Sequence, residues 1–264
     1  MKNSRFVIRS ILFMSLAASF ALPDLASADD GLPDSVLTEA QLPDDPDMEG
    51  SPNNDPVVAN PDRTLDVTAM SQPATSPKAQ ASILEKYKHV DPSKKINRGL
   101  LEKALQYFDA NLSKFPNKAY LGVVDFSKKS NKARWFIITL KTGAVQAIHV
   151  AHGSQSDKNG DGIPETFSNT DGSNMSSLGV YRTAEPYESA KFGHSMRIDG
   201  LSTTNSNVRS RAIVVHPAWY VWESDAISPG RTYGCLGISK SVSKNLIDQI
   251  QRGSMIYVGL SAAK

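Results

Sequence analysis

Apolar positions change their spacing midway along this chain of 264 residues. Between Ser82 and Phe115 they recur at helical intervals, with a break at Asp91-Pro92. The longer piece, Asn97 to Lys114, sets Leu100, Leu101, Ala104, Leu105, Phe108 and Leu112 on one face. Phe115-Pro116-Asn117 should end it, since proline has no N–H to continue the ladder. From Ala119 the pattern becomes that of strands: Tyr120 to Phe126, Arg134 to Leu140, Ala144 to Val150, Gly179 to Arg182, Ser195 to Asp199, Arg211 to His216 and Met255 to Leu260. Turn chemistry at Ser127 to Lys132 and Lys141-Thr142-Gly143 separates the first three. One late helix, Val242 to Arg252, closes on Gly253. The expected fold is mainly β. A helical lead-in over 81–118 packs on a domain at 119–264, large enough to bury a substantial core.

What precedes the lead-in does not read as a domain. Lys2, Arg5 and Arg9, an apolar stretch Ile11 to Leu22 and the small residues before Asp29 form a secretory signal over 1–28. The reading predicts an exported protein outside the cytoplasm, with no transmembrane anchor and no nucleic-acid partner. Residues 29–80 lack any aromatic side chain and are rich in proline. Between Asp29 and Asp66 eleven acids face one Arg63. Such a segment cannot bury enough apolar surface to offset its ordering entropy, so a disordered acidic linker is expected. The whole-chain charge of +2 hides a net +10 over residues 67–264. That excess suits anionic envelope polymers, or simply a basic solvated surface.

The chemistry gathers in HPAWYVWESDAISPGRTYGC, His216 to Cys235. Cys235 is the chain's single cysteine. A thiol attacks a carbonyl as thiolate, so a catalytic Cys needs a base and donors for the oxyanion it creates. His216 closes the apolar run Ala212-Ile213-Val214-Val215 and is the candidate base. Backbone N–H groups at Tyr233 and Gly234 are the candidate oxyanion donors. The competing reading, a buried inert cysteine in a non-catalytic envelope-binding module, is disfavoured by the export signal and the polar, glycine-rich flank. A papain-like peptidase is disfavoured by chain order, since that class places Cys before His. Asp157-Lys158-Asn159-Gly160-Asp161-Gly162 reads as half of a calcium loop reaching Glu165, but Ser168 stands where a bidentate acid belongs. A tight surface turn is preferred there and no cofactor is required. The remaining histidines lack the spacing of a zinc site.

The sequence resembles the L,D-transpeptidases of the YkuD type, and more narrowly the murein L,D-transpeptidase catalytic domain. The likeness runs from Ala119 to Leu260. It rests on His152-Gly153-Ser154, Phe167-Ser168-Asn169, Ser176-Ser177-Leu178-Gly179-Val180-Tyr181, Ile213-Val214-Val215-His216-Pro217-Ala218, Tyr220-Val221 and Gly230-Arg231-Thr232-Tyr233-Gly234-Cys235. Tyr233 stands where many members carry a second His, and Leu236-Gly237-Ile238 where they often carry Arg. The resemblance implies a mixed β-sandwich with short helices, and the bacterial periplasm or cell wall as its location. It also implies acyl transfer on peptidoglycan stem peptides, forming 3-3 cross-links or exchanging a terminal D-residue; water as acceptor would make a carboxypeptidase. By the same resemblance Ser177 and His152 join Arg231 as candidate substrate contacts.

Overall fold

The computed structural model describes residues 70–261. The expected signal over 1–28, and the acidic linker as far as residue 69, lie outside them. Among the described residues, helix precedes the point where the hydrophobic pattern places it. Helix α1 spans Pro77–Lys86, with Ser76 capping it by accepting from the Ala79 amide and Pro77 in its first turn. Ahead of it, the Ser71 amide donates to Asn111 Oδ1 and Asn111 Nδ2 donates to the Ser71 carbonyl, both at 2.8 Å. The boundary expected at residue 80 therefore falls inside a helix. The Asp91 carboxylate accepts from the amides of Lys95 and Ile96, which fixes the break before helix α2, Arg98–Ala110.

Eight strands follow: β1 Tyr120–Asp125, β2 Trp135–Thr139, β3 Ala144–Ile148, β4 Gly179–Ser189, β5 Gly193–Gly200, β6 Val214–Ala218, β7 Leu236–Ser239 and β8 Met255–Gly259. Helix α3, Lys240–Ile250, links the last two. They form one mixed sheet in the order β3-β2-β1-β8-β4-β5-β6-β7. The pairs β1–β8 and β6–β7 are parallel and the rest antiparallel. Alternation along the central strands decides which side chain meets which helix. Leu121, Val123, Phe136, Ile138 and Met255 share a core with Leu100, Ala104, Leu105 and Phe108 of α2. Val124, Trp135, Ile137, Ile256 and Val258 share the other with Leu246, Ile247 and Ile250 of α3. Strands buried on both faces read as unbroken apolar runs, and these do.

The sheet curls until its ends nearly meet. The chain leaving β3 runs beside the chain entering β7. The Ala151 amide donates to the Gly237 carbonyl, Ser154 N to Thr232 O and Thr232 N to His152 O, with a parallel bridge between Gly153 and Thr232. This seam lies next to β6.

Candidate active site

His216 sits in β6 and Cys235 immediately precedes β7. In the parallel register Val215 is paired with Leu236 and His216 with Gly237. Continuing one step back sets Cys235 beside Val214, two residues from His216 and on the same face, which puts their Cα atoms roughly 8 Å apart. The eighteen intervening residues are thus folded away so that a ring and a sulfur share one strip of sheet. The strand feeding His216 starts at Val214 and not at Arg211, because Ala212 has φ +53° and turns the chain.

Both groups are electrically neutral at rest. His216 is 2% exposed, and its ring stacks on Phe192 at 4.0 Å between centroids. Burial pushes its pKa down to about 4, against the pull of the Pro217 carbonyl. That carbonyl lies 3.0 Å from Nδ1 and can only accept, so the proton resides on Nδ1 and Nε2 offers a lone pair. Cys235 is half-buried, and its S–H points to the Ala212 carbonyl at 3.9 Å. Burial pushes the thiol up to about 11, although the Val214 backbone and the charges of Arg211 and Lys191 act the other way.

The turn before the sulfur is shaped by Thr232. Its hydroxyl donates to the Cys235 carbonyl at 2.9 Å and accepts from the Gly234 amide at 3.1 Å. The Gly234 N–H, expected as an oxyanion donor, is therefore engaged by a side chain in the resting geometry. Gly234 must be glycine: its φ is +110°, and a Cβ there would lie 2.6 Å from the Met175 carbonyl oxygen. Tyr233 is 36% exposed and faces outward.

The expected substrate contacts separate into two groups. Arg231 lines an open polar cavity of about 510 Å³, together with Ser154, Gln155, Asp157, Lys158, Asn174 and Tyr233. Its Nη1 donates to the Asp157 carbonyl at 3.2 Å. His152 and Ser177, the other expected substrate contacts, are 0% and 1% exposed. His152 Nδ1 accepts from Arg134 Nη2 at 2.7 Å, leaving its Nε2 toward Asp157 Oδ2 at 3.6 Å, and burial lowers its pKa to about 4. Ser177 Oγ donates to the Ser168 carbonyl at 2.7 Å and accepts from Arg211 Nη1 at 2.8 Å. Both residues tie neighbouring segments of the site together. Arg211 and Phe192 were not anticipated as site residues because their contacts are with segments far along the chain, and Thr232 was not because its hydroxyl reaches Gly234 and Cys235 only in this turn geometry.

In the Asp157 loop, ligand atoms of Asp157, Asp161 and Glu165 lie within 4.8 Å of one another. The Asp157 carboxylate is also buried against the amides of Gly160, Asp161 and Gly162. Asn159 Nδ2 donates to Glu165 Oε1 at 2.8 Å. These are the contacts of a tight Asx-type turn.

Over residues 92–258 the chain matches the family model described as the L,D-transpeptidase catalytic domain. Solved structures similar to it include an L,D-transpeptidase from Mycobacterium smegmatis, 14% identical, with a TM-score of 0.34, covering 53% of this chain and 58% of that one. L,D-transpeptidase 3 from Mycobacterium tuberculosis is 12% identical, with a TM-score of 0.34 over 53% of this chain and 61% of the other. An L,D-transpeptidase from Stackebrandtia nassauensis is 13% identical, with a TM-score of 0.33 over 70% of this chain and 78% of its own. The chain thus spans less than two thirds of the first two. No curated protein matches it. Among the described residues no helix is long and apolar enough to cross a membrane.

Proposed function

Because the chain belongs to the L,D-transpeptidase catalytic-domain family, matched over residues 92–258, we propose that it is an acyl transferase acting on peptidoglycan stem peptides with Cys235 as nucleophile and His216 as base. The observation that carries this reading is the β6–β7 register, which sets the only cysteine of the chain on the same strip of sheet as a neutral, Nε2-basic histidine. The sulfur attacks the carbonyl carbon of the third, L-centred residue of a tetrapeptide stem as His216 Nε2 takes the thiol proton. The tetrahedral adduct collapses, the C–N bond breaks, and the same proton passes to the departing amine of the terminal D-residue. An acceptor amine then attacks the thioester; its proton goes to His216, the C–S bond breaks and the thiol is restored. Water in place of that amine gives a carboxypeptidase. The cavity is lined by two cations, Arg231 and Lys158, against one acid, Asp157, a balance of positive charge suited to a stem carboxylate.

The raised thiol pKa and the engaged Gly234 amide favour one other reading, an envelope-binding module with an inert cysteine. Incubation of the protein with disaccharide-tetrapeptide fragments, read by mass spectrometry, separates the readings. Cross-linked or exchanged products, lost in Cys235→Ser at unchanged melting temperature, are expected. Equal yield from the Ser variant removes Cys235 from the mechanism, and no product from either favours the binding module.

A further inference from the structure

Arg211 lies in the turn before β6 and is 9% exposed. Its guanidinium forks onto a segment more than thirty residues earlier in the chain. Nη1 donates to the Ser168 carbonyl and to Ser177 Oγ, both at 2.8 Å. Nη2 donates to Ser173 Oγ at 3.1 Å and to the Met175 carbonyl at 2.8 Å. One side chain thus fastens Ser168 to Ser177, the loop that rims the site. The Met175 carbonyl it holds is the same oxygen that lies 2.6 Å from where a Gly234 Cβ would stand, and Nη2 itself lies 3.3 Å from that point. The next residue, Ala212, turns with φ +53° and presents its carbonyl to the Cys235 thiol. Side chain and backbone of Arg211-Ala212 therefore grip the nucleophile turn from two directions.

We propose that Arg211 is a positioning residue, which pins the Ser168–Ser177 rim onto the Gly234–Cys235 turn and keeps a fixed positive charge beside the sulfur. A planar fork with donors in set directions suits both tasks, since it stays charged at every working pH while holding four acceptors. The proposal rests on Cys235 being the nucleophile, and adds how its surroundings are held. The charged and titratable groups that face the sulfur are few. They are Arg211 itself, Lys191 from the β4–β5 hairpin, Tyr181 from β4 and His216 from β6; Asp171 on the rim faces Arg211. Lys191 is the other cation acting on the thiol, so removing Arg211 weakens the field at the sulfur and leaves it positive.

The test needs no turnover, because the chain has a single thiol. Iodoacetamide alkylation of Cys235 is followed from about pH 7 to pH 10 in the full chain, Arg211→Met and Arg211→Lys, and amide exchange is followed over Ser168 to Ser177. Arg211→Met should alkylate about tenfold more slowly at a given pH, the effect of one opposite charge lost nearby. Arg211→Lys should keep the parent's profile. Both should exchange faster in the rim. Ser173→Ala, which removes one contact of the fork and no charge, should loosen the rim without moving the profile, and it serves if Arg211→Met fails to fold. Overlaid profiles for Arg211→Met and the parent overturn the charge role, and unchanged exchange in both Arg211 variants and Ser173→Ala overturns the pinning. Neither outcome depends on transfer activity, so failure here and failure of the transferase reading are distinguishable.

Discussion

Replacing Gly234 by alanine should strike fold and site together, and its size follows from two contacts. The first is conformational: at φ +110° an L-residue is held in a sparsely populated region, at a cost of roughly 1–3 kcal/mol. The second is steric. The new Cβ would lie 2.6 Å from the Met175 carbonyl and 2.9 Å from Ile213 Cδ1. The Met175 oxygen belongs to the backbone and accepts from Arg211 Nη2 at 2.8 Å, so it retreats only by stretching that bond. A hydrogen bond to a charged group contributes about 1.5–3 kcal/mol. Together these predict a loss of roughly 3–6 kcal/mol, or a fall in melting temperature of roughly 6–24 °C at about 2–4 °C per kcal/mol. Gly172→Ala is the control. Its φ of +70° is also left-handed, but no atom lies within 4 Å of its Cβ position, so only a backbone cost of about 1–2 kcal/mol remains. Thermal melts of the two variants, with turnover measured well below either midpoint, check the reasoning. A Gly234→Ala protein that melts with the Gly172→Ala control refutes the close approach of Met175 to the Gly234–Cys235 turn.

Three further outcomes follow from the electrostatics and the boundary. With the thiol raised to about 11 and His216 lowered to about 4, the thiolate is about one part in ten thousand at pH 7. Alkylation of Cys235 should therefore climb about tenfold per pH unit from neutrality, and a plateau below about pH 8 would reveal a preformed thiolate–imidazolium pair instead. His149 is buried between Glu223 and Asp225; burial opposes its charge, but the bonds to both carboxylates outweigh it and raise its pKa above 6.5. That contribution is fully present below 6.5 and fades as pH rises through the folded value, while Glu223, held below 4.5, keeps its part until pH falls through its own folded value. The gap in melting temperature between parent and His149→Gln should be wider near about pH 6 than near about pH 9, and a gap that is flat or grows toward alkali contradicts it. Finally, a chain starting at Ala81 should melt below one starting at Met70, because it lacks the Ser76 cap and the paired bonds between Ser71 and Asn111. Equal midpoints would make that pairing energetically idle.

Much of the architecture was legible in local pattern. The stripe from Leu100 to Phe108 marked a helix with one buried face, and the runs at Tyr120, Arg134, Ala144 and Met255 marked strands, because period alone records which side chains leave water. The pair His216 and Cys235 was visible too, since a lone thiol after a glycine and a histidine ending an apolar run are chemical oddities wherever they occur. What the chain could not show locally was everything set by a distant partner. β7 is four residues, Leu-Gly-Ile-Ser, too short to read as a strand, and becomes one only against β6. His152 and Ser177 were expected only as substrate contacts, and their bonds to Arg134 and Arg211, which reach from elsewhere in the fold, were not legible in the sequence. The Thr232 hydroxyl on the Gly234 amide is a local contact two residues away, and it forms only in the turn that the fold imposes before β7. Sequence determined which residues could do chemistry and which faces would be buried. Only the curling of the sheet, bringing the chain after β3 against the chain before β7, decided which polar groups are satisfied within the protein and which remain for a substrate, because a hydrogen bond depends on separation in space and not along the chain.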